Sequence, residues 1–217
     1  MTEDVAPVPI ITTSIDQPLG QYCRLELLNS KTNNKTIQQL YDAFKPTEQT
    51  HFTYLPYGPF KTIDEFKEYI NLKLSSIDTI VYSIIVNDIA VGFITFLRVN
   101  QEHGTIEIGS LLLHYTFDIL GYRRVEWICN ALNVKSRRTA LRLGFQYEGT
   151  WIKLAVIKGR SRDNSWFSIV DDEWVQLKQE FQRWLNPTIF DSNGQQLTKL
   201  NAAQFNPRSN KETDNIY

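Results

Sequence analysis

Hydrophobic spacing changes repeatedly along the chain, and each change marks an element. Residues Met1 to Gly20 keep no period and carry Pro7, Pro9 and Pro18, which suits an extended arm. Alternation over Tyr22–Leu28 predicts a strand with Cys23, Leu25 and Leu27 on one face. Ile37, Leu40, Tyr41 and Phe44 then recur at helical spacing within Lys31–Phe44, ended by Pro46. A second helix starts at Thr62, with Glu65 completing a capping box and Phe66, Tyr69, Ile70 and Leu74 facing inward. Val81–Val86 and Ala90–Val99 flank Asn87-Asp88 and read as a hairpin, and Thr105–Ser110 begins another strand after His103-Gly104.

The second half follows the same logic. The apolar run Leu111–Leu120 predicts a short helix closed by Gly121, because glycine takes the left-handed conformation cheaply. Val125, Trp127 and Cys129 alternate as a strand. Asn133 is the N-cap of a helix reaching Leu143 and stopped by Gly144. Strands over Gly149–Lys158 and Ser165–Val170 enclose a turn at Gly159–Asn164. Glu173–Leu185 is an amphipathic helix with Trp174, Leu177, Phe181, Trp184 and Leu185 inward. From Ser192 the Asn-, Gln- and Lys-rich sequence reads as a frayed polar tail. This order predicts an α/β protein with a mixed sheet and one parallel β-α-β unit, in a single domain over 21–191.

Composition narrows the function classes. With 42% hydrophobic residues in 217, a core is readily built, and a net charge of −1 gives no long-range attraction to nucleic acid or an anionic membrane. The apolar runs are too short to span a bilayer, and no basic leader precedes an apolar stretch at the N-terminus. With only Cys23 and Cys129, a reducing, cytoplasmic setting is expected. His51, His103 and His114 show no metal-ligand spacing. Oligomeric state is not readable.

Several motifs stand in order. Asn133-x-x-Ser136 precedes Leu141-Arg142-Leu143-Gly144-Phe145-x-x-Glu148-Gly149. Further on come Lys158-Gly159-Arg160-Ser161-Arg162-Asp163, Trp166-Phe167-Ser168 and Asp172-Glu173-Trp174. Upstream lie Tyr54-Leu55-Pro56-Tyr57-Gly58-Pro59-Phe60 and Glu107-Ile108-Gly109. Together these resemble the GNAT-type N-acetyltransferases, most of all the branch of ribosomal-protein-alanine (RimJ/RimL-like) acetyltransferases, over about Leu25 to Asp191. The resemblance implies the acyl-CoA N-acyltransferase fold, acetyl-CoA as co-substrate, and a primary amine as acceptor, on a protein N-terminus or a small molecule. It also implies that the pantetheine arm lies between two splayed parallel strands.

The central β-α-β unit is short. Ile106 to Cys129 spans 24 residues, where about 30 or more are usual, and the loop that holds the diphosphate in the family is missing after Gly109. Gly109 and Ser110 are what remains to meet the diphosphate through backbone N–H groups. The resemblance assigns Asn133 to the pantetheine arm. Acetyl transfer also needs a base for the amine proton and a donor to the departing thiolate, for which Glu107 and Ser136 are the candidates. Arg137 and Arg138 are candidates to meet cofactor phosphates. Each has a plainer alternative: Asn133 and Ser136 as a helix cap, Arg137 and Arg138 as a solvated face, Glu107 as a paired strand carboxylate. Glu148 and Asp163 are read as holding turns. Phe52, Tyr54 and Tyr57 form an acceptor wall or ordinary packing. The rival function is a non-catalytic relative that has lost the cofactor.

Overall fold

In the computed structural model, antiparallel strands dominate both halves of the chain, which separates into two units, Met1–Leu111 and Leu112–Tyr217. Residues 23–47, 50, 52–108 and 112–208 are described. The arm expected over 1–20 lies outside them, as do Gly109, Ser110 and the link from the fourth strand to the next helical segment. No described helix is long and apolar enough to cross a membrane.

In the first unit β1 (Arg24–Leu27), β2 (Ile80–Val86), β3 (Ile89–Asn100) and β4 (Thr105–Ile108) pair antiparallel in that order. Asn87 and Asp88 join β2 to β3 with φ of 49° and 62°, the two left-handed residues that a tight hairpin matching strand twist requires. Helix α1 (Asn34–Phe44) is capped by Asn33, whose side chain accepts from Thr36 N at 2.8 Å. It starts three residues later than the pattern predicts because Asn33 captures that first turn. Thr62 caps α2 (Ile63–Leu74), while Glu65 reaches back to Lys61 N at 2.7 Å, one residue before the cap. Ile37 and Leu40 from α1, Phe66 and Ile70 from α2, and Val81 and Ile85 from β2 form the core.

In the second unit β5 (Arg124–Asn130) pairs with β7 (Arg160–Val170), which pairs with β6 (Gln146–Ile157), again antiparallel. The expected short helix is a turn of π-helix at Tyr115–Ile119, with Leu120 N bonded to Tyr115 O, and Gly121 at φ 69° ends it as predicted. The turn placed at Gly159–Asn164 is smaller than expected. Lys158 and Gly159 alone reverse the chain at φ 52° and 75°, so the strands run up to them. The irregularity sits instead in β6, where Lys153 has φ 53° and its N–H donates to Asp163 Oδ1 at 2.7 Å. Asp163 thus holds a bulge. Helices α3 (Val134–Arg142), α4 (Asp171–Trp184) and α5 (Ala202–Phe205) complete the unit.

The polar tail is the clearest departure. Residues 192–208 pack back on the unit, with Leu200, Ala202 and Asn206 buried. Asn206 Nδ2 donates to Gly144 O at 2.8 Å, and Asn201 N donates to buried Glu180 at 2.7 Å. Arg208 reaches three groups at once: Glu173 at 2.5 Å, Glu148 at 2.8 Å and the Ser168 hydroxyl at 2.8 Å. Glu148 also takes both terminal nitrogens of Arg124 and the Ser168 hydroxyl. It was read as holding a turn, and it centres an ion network instead. Composition suggests solvation for such a segment, but Asn201, Asn206 and Arg208 each find a specific partner.

Burial raises the Glu148 pKa, but hydrogen bonds from Arg124, Ser168 and Arg208 outweigh it and hold the carboxyl at about 2. A pKa below the unfolded value stabilises the fold fully above about pH 5 and progressively less as pH falls towards 2. The contribution is on the order of 2–3 kcal/mol. Urea unfolding between about pH 6 and pH 3 should therefore show a steep stability loss that Glu148→Gln flattens; parallel curves for the two proteins would contradict the network's role. Gly144 gives a second test. Its φ is +89°, and an added Cβ would lie 2.7 Å from Leu177 Cδ2 and 3.3 Å from Ala202 O. Gly144→Ala should lower unfolding free energy by about 1–3 kcal/mol in denaturant titration.

Candidate active site

The sharpest cluster of candidate residues lies where β5 hands over to α3. Asn130 Oδ1 accepts from Leu132 N at 2.8 Å, and Asn133 N donates to Asn130 O at 2.8 Å, which folds the strand end into a tight turn. Asp163 O anchors the same turn through Ala131 N at 2.9 Å. Asn133 then caps α3, its Oδ1 accepting from Ser136 N at 3.2 Å. The predicted cap is present. It uses only the carbonyl oxygen of the side chain, and the amide Nδ2, a double donor, has no acceptor among the described residues.

Ser136 Oγ lies 3.0 Å from Trp127 Nε1 on β5. Trp127 packs edge-on to the buried Phe145 ring, with centroids 5.7 Å apart. Arg137 Nη1 donates to Ala131 O at 3.1 Å, so part of its guanidinium secures the turn. Its Nε is buried with no hydrogen-bond partner among the described residues. The first turn of α3 contains no acidic residue, while Lys135, Arg137 and Arg138 crowd the same end. Cations at the positive end of a helix dipole are unfavourable, and an anion there relieves the clash.

The other candidates lie in the first unit. Glu107 sits on β4 opposite Leu97, and its Oε2 pairs with Arg98 Nη2 at 2.7 Å. Arg98 takes φ 48° at the irregularity between Leu97 and Asn100, which aims its guanidinium at Glu107. The paired-carboxylate alternative is therefore realised, with the side chain 13% exposed. Gly109 and Ser110 lie outside the described residues.

The aromatic segment is mainly core. Phe52 is buried and its ring meets Phe44, Tyr57 and Phe60. Gly58, at φ +61°, lets the chain pass, since an added Cβ would stand 2.4 Å from Phe52 Cδ1. The Tyr57 ring lies tilted against Tyr69 with centroids 4.4 Å apart, and burial pushes both hydroxyl pKa values up. Phe52 is thus packing, while Tyr54 and Tyr57 remain half-buried.

One cluster was not foreseen. Asp118 accepts from His114 Nδ1 at 2.5 Å, Trp174 Nε1 at 2.9 Å and Lys178 Nζ at 3.0 Å. Burial opposes ionisation of Asp118, but the Trp174, Lys178 and His114 contacts prevail and its pKa is lowered. The i, i+4 spacing of His114 and Asp118 was visible in sequence; the α4 partners were not. Among the described residues no group of three side chains could hold a metal. Arg98 and Trp127 were likewise missed as partners, because neither spacing nor motif marks a contact made between strands or from strand to helix.

Neither a family model nor a curated protein sequence matches the chain. Solved structures do. A GCN5-related N-acetyltransferase from Brucella melitensis is 36% identical with a TM-score of 0.83, covering 94% of this chain and 98% of that one. A probable acetyltransferase of the GNAT family from Chromobacterium violaceum is 32% identical with a TM-score of 0.66, covering 80% and 100%. Spermidine N-acetyltransferase from Vibrio cholerae, in complex with CoA and spermine, shares the fold at 16% identity and a TM-score of 0.56, covering 72% of this chain and 99% of its own. With about a third of residues shared over nearly its whole length and the same mixed α/β architecture, the chain belongs to the GCN5-related N-acetyltransferase family and is an N-acetyltransferase.

Proposed function

We propose that the protein transfers the acetyl group of acetyl-CoA to a primary amine, on a small molecule or a protein N-terminus. The observation that supports this reading best is the turn into α3, where Asn133, Ser136 and Arg137 each keep a donor with no acceptor among the described residues. These residues fit the co-substrate. Asn133 Nδ2 would hold an amide of the pantetheine arm, and the basic first turn with the Arg137 Nε would attract phosphate. Ser136 would donate to the departing sulfur. When bound, the thioester supplies an activated acetyl group. The amine nitrogen bonds to the carbonyl carbon, the carbon–sulfur bond breaks, and the sulfur leaves with its electron pair. The amine loses one proton and sulfur gains one, so the exchange balances.

Glu107 is assigned the amine proton. Arg98 pairs with its Oε2 at 2.7 Å and so orients the carboxylate that would accept the proton. The sequence after Gly109 is shorter than the loop that the family resemblance implies, so binding is expected in the micromolar rather than nanomolar range. Its acceptor class is read as an amine, which the spermine bound to the Vibrio cholerae fold relative illustrates.

Isothermal titration with acetyl-CoA tests the core of the reading: heat with a micromolar dissociation constant is expected, and none at millimolar cofactor would favour the non-catalytic alternative. Asn133→Ala should weaken binding about tenfold while the lost cap lowers stability by only about 1 kcal/mol. Unchanged affinity in that variant would reduce Asn133 to a cap. Glu107→Gln keeps an acceptor for Arg98, so the fold should persist while acetylation of spermine or an alanine-initiated peptide falls at least about tenfold. Full activity in Glu107→Gln would remove its assignment as base.

A further inference from the structure

The contact between Trp127 and Ser136 has a direction. An indole nitrogen carries a proton and no lone pair for hydrogen bonding, so at 3.0 Å Trp127 Nε1 donates and Ser136 Oγ accepts. The serine proton is not consumed by this bond, and no acceptor for it is found among the described residues. Serine and threonine in helices commonly give that proton to the carbonyl four residues back. Thr139 does so in this helix, donating to Lys135 O at 2.9 Å. Ser136 does not: Leu132 O, four residues back, accepts from Val134 N at 3.0 Å and no bond from the Ser136 hydroxyl.

The donor itself is fixed. Trp127 is held by its place on β5, opposite Phe167 on β7, and by the edge contact with Phe145. Ser136 is fixed from the other side, because its N–H is bound to Asn133. A hydroxyl that accepts one hydrogen bond becomes a stronger donor through the other. We infer that Trp127 is a positioning residue: its N–H orients and polarises the Ser136 hydroxyl so that the proton is presented, away from the indole, to the sulfur that leaves the acetyl group. This rests on the role proposed above for Ser136. A purely architectural bond tying α3 to β5 would have no effect on a bound thiol.

The test is the ionisation of CoA itself on the protein, followed by thiolate absorbance against pH, and it requires no acceptor. A donor to sulfur favours the thiolate and lowers the pKa of the bound thiol. Ser136→Ala should raise that pKa by about one unit or more, and Trp127→Phe by about half a unit, with CoA affinity within about twofold in the latter. The double variant should match Ser136→Ala, because Trp127 acts only through the hydroxyl. Replacing Trp127 with benzothienylalanine, which exchanges the N–H for sulfur in a ring of the same shape, should reproduce Trp127→Phe and covers the case in which phenylalanine unfolds the protein. A shift in Ser136→Ala without one in either Trp127 variant overturns the inference and leaves the Ser136 role standing. No shift in Ser136→Ala, or no CoA binding, overturns the Ser136 role and the inference with it.

Discussion

The Glu148 carboxylate is the group on which the second half of the chain closes. Two arginines meet there from opposite directions in sequence, Arg124 at the start of β5 and Arg208 beyond the last helix. A half-buried carboxylate is costly unless its oxygens are filled, and here Ser168 completes the set. Arg208 extends the network to buried Glu173, whose other oxygen accepts from Val170 N at the entry of α4. Removing Arg208 would take the ion pair from the buried Glu173, while removing Arg124 would leave Glu148 with Arg208 and Ser168 only. The order of β5, β7 and α4 and the return of the C-terminal segment are therefore one electrostatic arrangement.

That arrangement matters for chemistry because it fixes the strand that carries Trp127. Glu126 and Arg124 pair on β5 at 2.9 Å, and the strand is registered residue by residue against β7 from Arg124 to Asn130. The turn after Asn130 is then anchored to β7 again through Asp163. Asn133 and Ser136 inherit their positions from this frame. A helix of nine residues would be marginal alone, and its basic first turn makes it worse. Packing of Ala140 and Leu143, together with the cap, keeps it in place.

The first unit relies on a different principle. Its aromatic rings pack Phe44, Phe52, Phe60, Phe66 and Tyr69 into a continuous cluster beneath the segment around Gly58. Dispersion and burial there need close approach rather than charge. Glu107, the candidate base, is in this unit and depends on the left-handed Arg98 for its orientation. A strand residue other than glycine in that conformation is uncommon, and Arg98 combines it with an ion pair to a candidate site residue.

Local signals in the sequence were sufficient wherever a structure is made by neighbours. Thr62 and Asn133 cap helices because their short side chains reach the N–H three residues on. Asn87-Asp88 makes a hairpin because both tolerate positive φ, and the helical spacing of Ile37, Leu40, Phe66 and Ile70 marked the core. The family and its candidate residues were legible too, since motif residues keep their order along the chain. What only tertiary structure decided are the partners across distance. Glu148 and Arg208 are 60 residues apart, Trp174 and Asp118 are 56 apart, and no periodicity encodes either. The tail from Ser192 to Arg208 reads as solvated because its polar groups have no local partners; folding supplies them from Gly144, Glu180 and Glu173. Trp127 shows the same limit at shorter range: a strand pattern says which face it occupies, and only the seated helix makes its N–H a donor to Ser136.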